Sequence, residues 1–189
     1  NNGYTLGASD ETTVAVQRNL GGLPLLLHAD PKSIAFIGVA TGVSVSAISL
    51  FAVERVLAME LLAEVLQAAP YFDHVNGGVL NDPRVETLKV DGRNHLFATQ
   101  EKFDVIVGDL FVVWHAGTGD LYTREHFAAV ADRLRDDGIF VQWLPAREIT
   151  IKDMRMIVAT FVDVFPSAEL WLNRPDPRLV GTLALTAYA

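Results

Sequence analysis

The sequence predicts an α/β fold: a mostly parallel sheet with helices on both faces, ending in an antiparallel hairpin. Three observations carry that expectation. Short apolar runs at 33–38, 55–60, 85–90, 103–109 and 139–145 are separated by segments of helical length, an order that demands parallel strands and crossover connections. Most of those runs end in a glycine or an acid, as strands do where they deliver a loop to a ligand crevice. The tail 167–189, "SAELWLNRPDPRLVGTLALTAYA", reads as two strands joined by a Pro/Asp turn.

Taken in order, residues 1–32 are the least regular, and "LPLLLHADP" (23–31) reads as a short apolar helix or turn leading into the first strand. "SIAFIG" (33–38) is that strand, and "VSVSAISLF" (43–51) the helix after it, despite its β-branched content. "RVLAME" (55–60) is the second strand, followed by "LLAEVLQAAPYF" (61–72), a helix broken by Pro70. "VETLKV" (85–90) alternates and stops at "DGR", and "FDVIVGD" (103–109) is the fourth strand. "TREHFAAVADRLRDDG" (123–138) reads as an amphipathic helix closed by Gly138. "IFVQWLP" (139–145) is the fifth strand, with a helix expected over roughly 150–163. No internal repeat or low-complexity tract interrupts this order.

Composition narrows the function. The chain has 189 residues, enough for one α/β domain with a real core and short for two. A net charge of −8 and the lack of any basic run argue against nucleic acid as a partner. There are no cysteines, which removes disulfides, thiolate metal sites and a cysteine nucleophile. No apolar segment reaches the ~18–20 residues needed to span a bilayer. The opening "NNGYTLGASD" carries no signal-peptide pattern and reads as the middle of a longer protein.

The strand ends hold the candidate chemistry. After the first strand comes "IGVATGVS" (37–44), where Gly38 and Gly42 would let backbone approach a ligand, with Ala40 in the middle position. Glu60 closes the second strand, 22 positions past Gly38, the distance at which an acid accepts ribose hydroxyls; a plain helix N-terminal acid reads equally well there. Asp91, before Gly92 and Arg93, has the geometry either to accept an adenine amino proton or to make an Asp-Gly turn. Asp109 closes the fourth strand and opens an aromatic, glycine-punctuated loop holding Phe111, Trp114, Gly117, Gly119 and Tyr122. Acids at three strand ends plus a glycine pair favour a nucleoside pocket. No G-x-x-x-x-G-K-[ST] phosphate cradle occurs, so a nucleoside without phosphates fits better than a nucleotide.

The order of elements resembles the Rossmann-like class I methyltransferase fold, with seven strands and the terminal hairpin as its antiparallel part. Within 76–145, "NGGVLNDPRVETLKVDGRNHL", "FDVIVGDLFVVWHAGTGDLYTREHF" and "LRDDGIFVQWLP" resemble the spermidine synthase family, the polyamine aminopropyltransferases. "LPLLLHADPKSIAFIGVATG" is similar to the bacterial branch in which such a domain is joined to a membrane-embedded segment.

The resemblance implies a transferase of polyamine biosynthesis. Its co-substrate would be a sulfonium nucleoside, S-adenosylmethionine or decarboxylated S-adenosylmethionine, its acceptor a small amine, and no metal is implied. It makes Asp109 the catalytic acid; Gly38, Ala40, Gly42, Glu60, Asp91 and Gly92 the donor site; and Gln17, Phe111, Trp114 and Tyr122 the substrate contacts. It also implies a remnant of an N-terminal β region at 1–15, a catalytic domain over 16–189, a cytoplasmic location with possible membrane attachment, and a homodimer.

The departures are specific. Where putrescine-using synthases carry Asp-Ser-Ser-Asp-Pro, this chain has Asp109–Leu110–Phe111–Val112, so the second acid is missing. The usual Tyr-His-Glu falls at Val16–Gln17–Arg18, and Gly-Gly-Gly-Asp-Gly becomes Gly38–Val39–Ala40–Thr41–Gly42. The nucleoside pocket is better kept than the diamine pocket. A methyltransferase for another small acceptor and a degenerate nucleoside-binding module therefore stay open; an NAD-binding domain is disfavoured by Ala40 and the final hairpin. His115 and His126 lack a third ligand at metal spacing, Gln142 and Trp143 read as core or interface, and Ser44 and Ser46 show no His/Asp partner pattern.

Overall fold

A computed structural model of the chain describes residues 8–109, 117–145, 149–173 and 182–189. Its sheet has seven strands in the order β3-β2-β1-β4-β5-β7-β6: β1 (Ser33–Ile37), β2 (Arg55–Glu60), β3 (Val85–Lys89), β4 (Phe103–Gly108), β5 (Leu134–Leu144), β6 (Ala168–Asn173) and β7 (Thr182–Tyr188). The first five pair in parallel; β7 runs antiparallel to both β5 and β6. Strand order reverses between β1 and β4, which opens the crevice where such sheets bind ligands.

β4 is buried along its whole length and β1 from its second residue on, which is why both read as continuous apolar runs rather than alternating ones. Side chains divide into two cores. Ile34, Phe36, Val105, Val107 and Val141 pack toward helix α1 (Glu11–Leu27) and the 3-10 turn 45–50. Ile37, Leu57, Ile106 and Phe140 pack toward the helices α4 (Gly92–Ala98), α5 (Arg124–Arg133) and α6 (Ile151–Val164). Asp10, Asp91, Thr123 and Thr150 cap these four helices by accepting a backbone N–H three residues on.

Several boundaries differ from expectation. Of the short apolar helix or turn expected at 23–31, residues 23–27 are the end of the 17-residue α1, which begins at Glu11; residues 1–7 lie outside the described residues. The segment 43–51 forms only the 3-10 turn Val45–Leu50, in keeping with its serines and β-branched residues. Pro70 does break its helix: α2 (Ala63–Ala68) passes through a 3-10 turn to the single-turn α3 (Asp73–Asn76). α4 was not anticipated, because Asp91-Gly92 resembles a turn and is instead an N-cap and first helical residue. The helix expected to run to Gly138 stops at Arg133, since Leu134 pairs with Phe103 across the sheet. Residues 135–137 then loop outward before Ile139 rejoins opposite Val105. No helix among the described residues is long and apolar enough to cross a membrane.

Candidate functional site

Three loops meet at the carboxyl ends of β1, β2 and β4. The first leaves β1 through Gly38 (φ 90°), Ala40 (φ 48°) and Gly42 (φ 76°). All three lie in the left-handed region, which strains only the alanine. Glu60, the last residue of β2, holds this loop. Its Oε2 accepts from Val39 N (3.1 Å) and Ala40 N (3.4 Å), and its Oε1 from Leu62 N (3.0 Å). Glu60 thus serves the start of α2 through its N-cap residue Leu62, as the helix-terminus reading has it, and also shapes the loop, with lone pairs still open to a ligand. From behind, Asn76 Nδ2 donates to Thr41 O (2.8 Å), and Thr41 Oγ1 donates to Gln17 Oε1 (3.2 Å).

Asp109 follows β4 directly, its N–H donating to Ile37 O at 3.0 Å. The side chain is buried. Oδ2 accepts from Ser44 Oγ at 2.5 Å, and Oδ1 has no hydrogen-bond partner among the described residues. Burial pushes this carboxyl up to about 6; the Ser44 hydroxyl pulls it down, and the nearby Glu60 charge pushes it further up. A carboxylate so placed is a stronger base than one in water and still ionises near neutrality.

A cavity of about 330 Å³ lies between these loops, within the range of small-molecule sites. Gly38, Ala40, Glu60, Asp91, Gly92 and Asp109 all line it, so six expected site residues converge. Gly92 is there for packing as well: a Cβ on it would come within 2.9 Å of Ile37 Cγ2. Asp91 Oδ1 is engaged by Asn94 N (3.0 Å) as the cap of α4.

Other expected residues are placed elsewhere. Gly42 packs against Asn76, Gln17 is buried behind the loop, and neither lines the cavity. Tyr122 is buried with its hydroxyl donating to Trp143 O at 3.0 Å, while its neighbour Leu121 faces the cavity. Phe111 and Trp114 lie outside the described residues, as does His115. His126 is fully buried beside Phe127 and Phe140; burial, then the Arg93 charge, push it down to about 3, leaving a neutral core imidazole.

Sequence reasoning missed two participants. Ser44 was set aside for want of a His/Asp pattern, yet an aspartate 65 positions away is its partner. Arg93 also lines the cavity, its guanidinium 4.8 Å above the Phe97 ring. A larger apolar cavity of about 720 Å³ opens between α1 and the β5–β7–β6 side, with Trp143 and Trp171 in its wall. No carboxylate lines it among the described residues.

The sequence pattern of the spermine/spermidine synthase domain family matches residues 13–173. A polyamine aminopropyltransferase of Thermoanaerobacter sp. (strain X514) is 28% identical over 151 residues, 79% of this chain and 54% of that protein. A polyamine aminopropyltransferase of Serratia proteamaculans (strain 568) is 34% identical over 122 residues, 63% of this chain and 42% of that protein. The chain spans about half the length of the curated relatives it matches. A solved spermidine synthase in complex with the transition state analogue AdoDATO superposes with a TM-score of 0.85 at 24% identity, covering 96% of this chain and 62% of that one. That likeness establishes the fold.

Proposed function

This chain belongs to the spermine/spermidine synthase family, and from that premise we propose that it transfers an aminopropyl group from decarboxylated S-adenosylmethionine to a small amine. The observation that carries the reading is Asp109: a buried carboxylate with one oxygen unpartnered among the described residues, in the wall of the same cavity as Glu60 and Asp91. The activity named for the curated relatives supports it.

An alkylamine is an ammonium at neutral pH, with a pKa near ~10, and has no lone pair to attack with. Asp109 Oδ1 accepts one proton from it. The freed nitrogen lone pair forms a bond to the methylene carbon next to the sulfonium. That carbon's bond to sulfur breaks, its electrons stay on sulfur, and a neutral thioether leaves. The positive charge passes from sulfur to the new secondary ammonium, and Asp109 returns its proton to solvent. Glu60 is the acceptor for the ribose hydroxyls, and Asp91 stands at the base.

The donor is the decarboxylated form on electrostatic grounds. Arg93 is the single cation among the described lining residues, two positions from Asp91, whereas Asp109 and Glu60 would repel an α-carboxylate at the reacting end. The acceptor is an amine other than putrescine, because the second acid of the diamine site is replaced within Leu110–Val112. Within this reading the cytoplasm is the compartment of the reaction and a homodimer the assembly to look for.

The test is an assay of the chain with decarboxylated S-adenosylmethionine and a panel of mono-, di- and triamines, products being read by mass spectrometry. An aminopropyl adduct on an amine other than putrescine is expected. Methyl transfer from S-adenosylmethionine, or methylthioadenosine binding with no turnover on any amine, would overturn the reading.

A further inference from the structure

We propose that Ser44 is a positioning residue for Asp109: its hydroxyl holds Oδ2 so that Oδ1 alone is left to take the proton. The inference rests on the aminopropyl-transfer reading for its purpose, though not for its geometry.

Three observations carry it. The Ser44 Oγ–Asp109 Oδ2 bond is 2.5 Å long and buried at both ends, the length of a charge-assisted O–H···O⁻ contact. The other oxygen of Asp109, Oδ1, is buried without a partner among the described residues. A native protein keeps such an atom only where something else meets it. Finally, Ser44 is itself held. α1 crosses it at Gly21, where an added Cβ would run into the Ser44 carbonyl, so helix and loop meet backbone to backbone. A mid-helix glycine costs about 1 kcal/mol relative to alanine; the close approach is what that cost secures. The path is short: Gly21 fixes the Ser44 backbone, Ser44 fixes one oxygen of Asp109, and the remaining oxygen faces the reaction.

A carboxylate attached through a single-bonded carbon rotates freely unless a donor stops it. The hydroxyl stops it and favours the ionised form. The other charged groups around the cavity among the described residues are Glu60 on β2 and Asp91 and Arg93 at the start of α4. None of them donates to Asp109 among its described hydrogen bonds, so Ser44 is the contact that sets its orientation.

The experiment compares the parent chain with Ser44→Ala, Ser44→Thr and, as a neighbouring-hydroxyl control, Ser46→Ala, whose Oγ donates to Val43 O instead. Two quantities are read: the Asp109 carboxyl titration by ¹³C NMR, which needs no turnover, and the pH profile of transfer. In Ser44→Ala the carboxyl midpoint is expected to rise by about one pH unit. The acid limb of kcat/KM should rise with it and kcat fall roughly tenfold, with methylthioadenosine affinity unchanged. Ser44→Thr should restore both readouts, and Ser46→Ala should move neither. If Ser44→Ala fails to fold, Ser44→Cys, whose thiol is a weaker donor, should shift the titration in the same direction. An unmoved carboxyl titration in the folded variant overturns the proposal. A moved titration in a chain that never transfers an alkyl group keeps the Ser44–Asp109 coupling and overturns the transferase reading instead.

Discussion

Asp104 lies at the start of β4 and Asp109 just past its end, both buried, and their carboxyls are shifted in opposite directions. Burial pushes Asp104 up too. But Ser33 N (2.7 Å) and Lys32 N (2.9 Å) donate to its Oδ2 and Arg135 Nη1 (2.7 Å) to its Oδ1, and together they hold it below the ordinary aspartate range. Asp109 has the one hydroxyl of Ser44 and stays above that range. Asp104 is an anchor that ties β4 to the start of β1 and to the outward loop of β5. Asp109, its Oδ1 unpartnered among the described residues, carries an unmet demand.

That demand should be visible in stability. In the unfolded chain the Asp109 carboxyl titrates near 3.8, in the folded one near 6. Between those values the folded state holds more protons, so stability falls as pH rises through the window. Above pH 6 the cost is full, on the order of 3 kcal/mol. Asp109→Asn carries no such cost. Its melting temperature should match the parent near pH 3.5 and exceed it by roughly 5–10 °C at pH 8. A constant gap across the range, read by thermal scanning, would show that Asp109 is not strained by burial.

Activity should move the opposite way. Asp109→Asn removes the basic oxygen and should lower transfer by a factor on the order of 10²–10⁴, while methylthioadenosine binding, which the proposal assigns to Glu60 and Asp91, changes little. Single-turnover transfer and calorimetric affinity on one preparation decide it; intact transfer would make Asp109 a structural group only.

Glu60→Ala should cost both binding and fold. It strips acceptors from Val39 N, Ala40 N and Leu62 N, and leaving such groups unmet costs about 1–3 kcal/mol. Denaturant midpoint and nucleoside affinity should therefore drop together. Lost affinity with undiminished stability would mean the loop does not depend on Glu60.

Two adjacent glycines should behave oppositely. Gly21→Ala drives a Cβ into the Ser44 carbonyl and should destabilise the chain by several kcal/mol. At Gly22 the nearest atom to an added Cβ is Ala47 Cβ at 3.8 Å, ordinary contact. Gly22→Ala should gain up to about 1 kcal/mol of helix propensity. Equal effects at the two sites, measured by chemical denaturation, would place α1 differently against the loop.

Ala40 sits at φ 48°, which costs an L-residue roughly 1–2 kcal/mol. Ala40→Gly relieves that strain and loses about 0.4–1 kcal/mol to the freer unfolded chain. A net gain of a few tenths to one kcal/mol is expected in the denaturation midpoint; a loss would mean the methyl group packs usefully.

The apolar runs at 33–38, 55–60 and 103–109 were legible as strands, and all three ended within one residue of where β1, β2 and β4 end. The acids at their ends were legible as a site because a parallel sheet sends every such end to the same edge. What lay outside local pattern depended on partners far along the chain. The sequence 134–138 continues a helical pattern, and only the pairing of Leu134 with Phe103 turns it into strand. Asp91-Gly92 reads as a turn until α4 packs its glycine on Ile37. Gln17 and Tyr122 look available to a substrate until the fold buries both and engages the Gln17 carbonyl oxygen with Thr41 and the Tyr122 hydroxyl with Trp143. Ser44 had no visible partner because its partner is 65 positions on. β1 and β4 lie side by side in the sheet though β2 and β3 separate them in the chain. That adjacency brings the hydroxyl to the acid. Local propensity reaches only a few residues, and a hydrogen bond between loops of neighbouring strands exists only once the sheet has set their spacing.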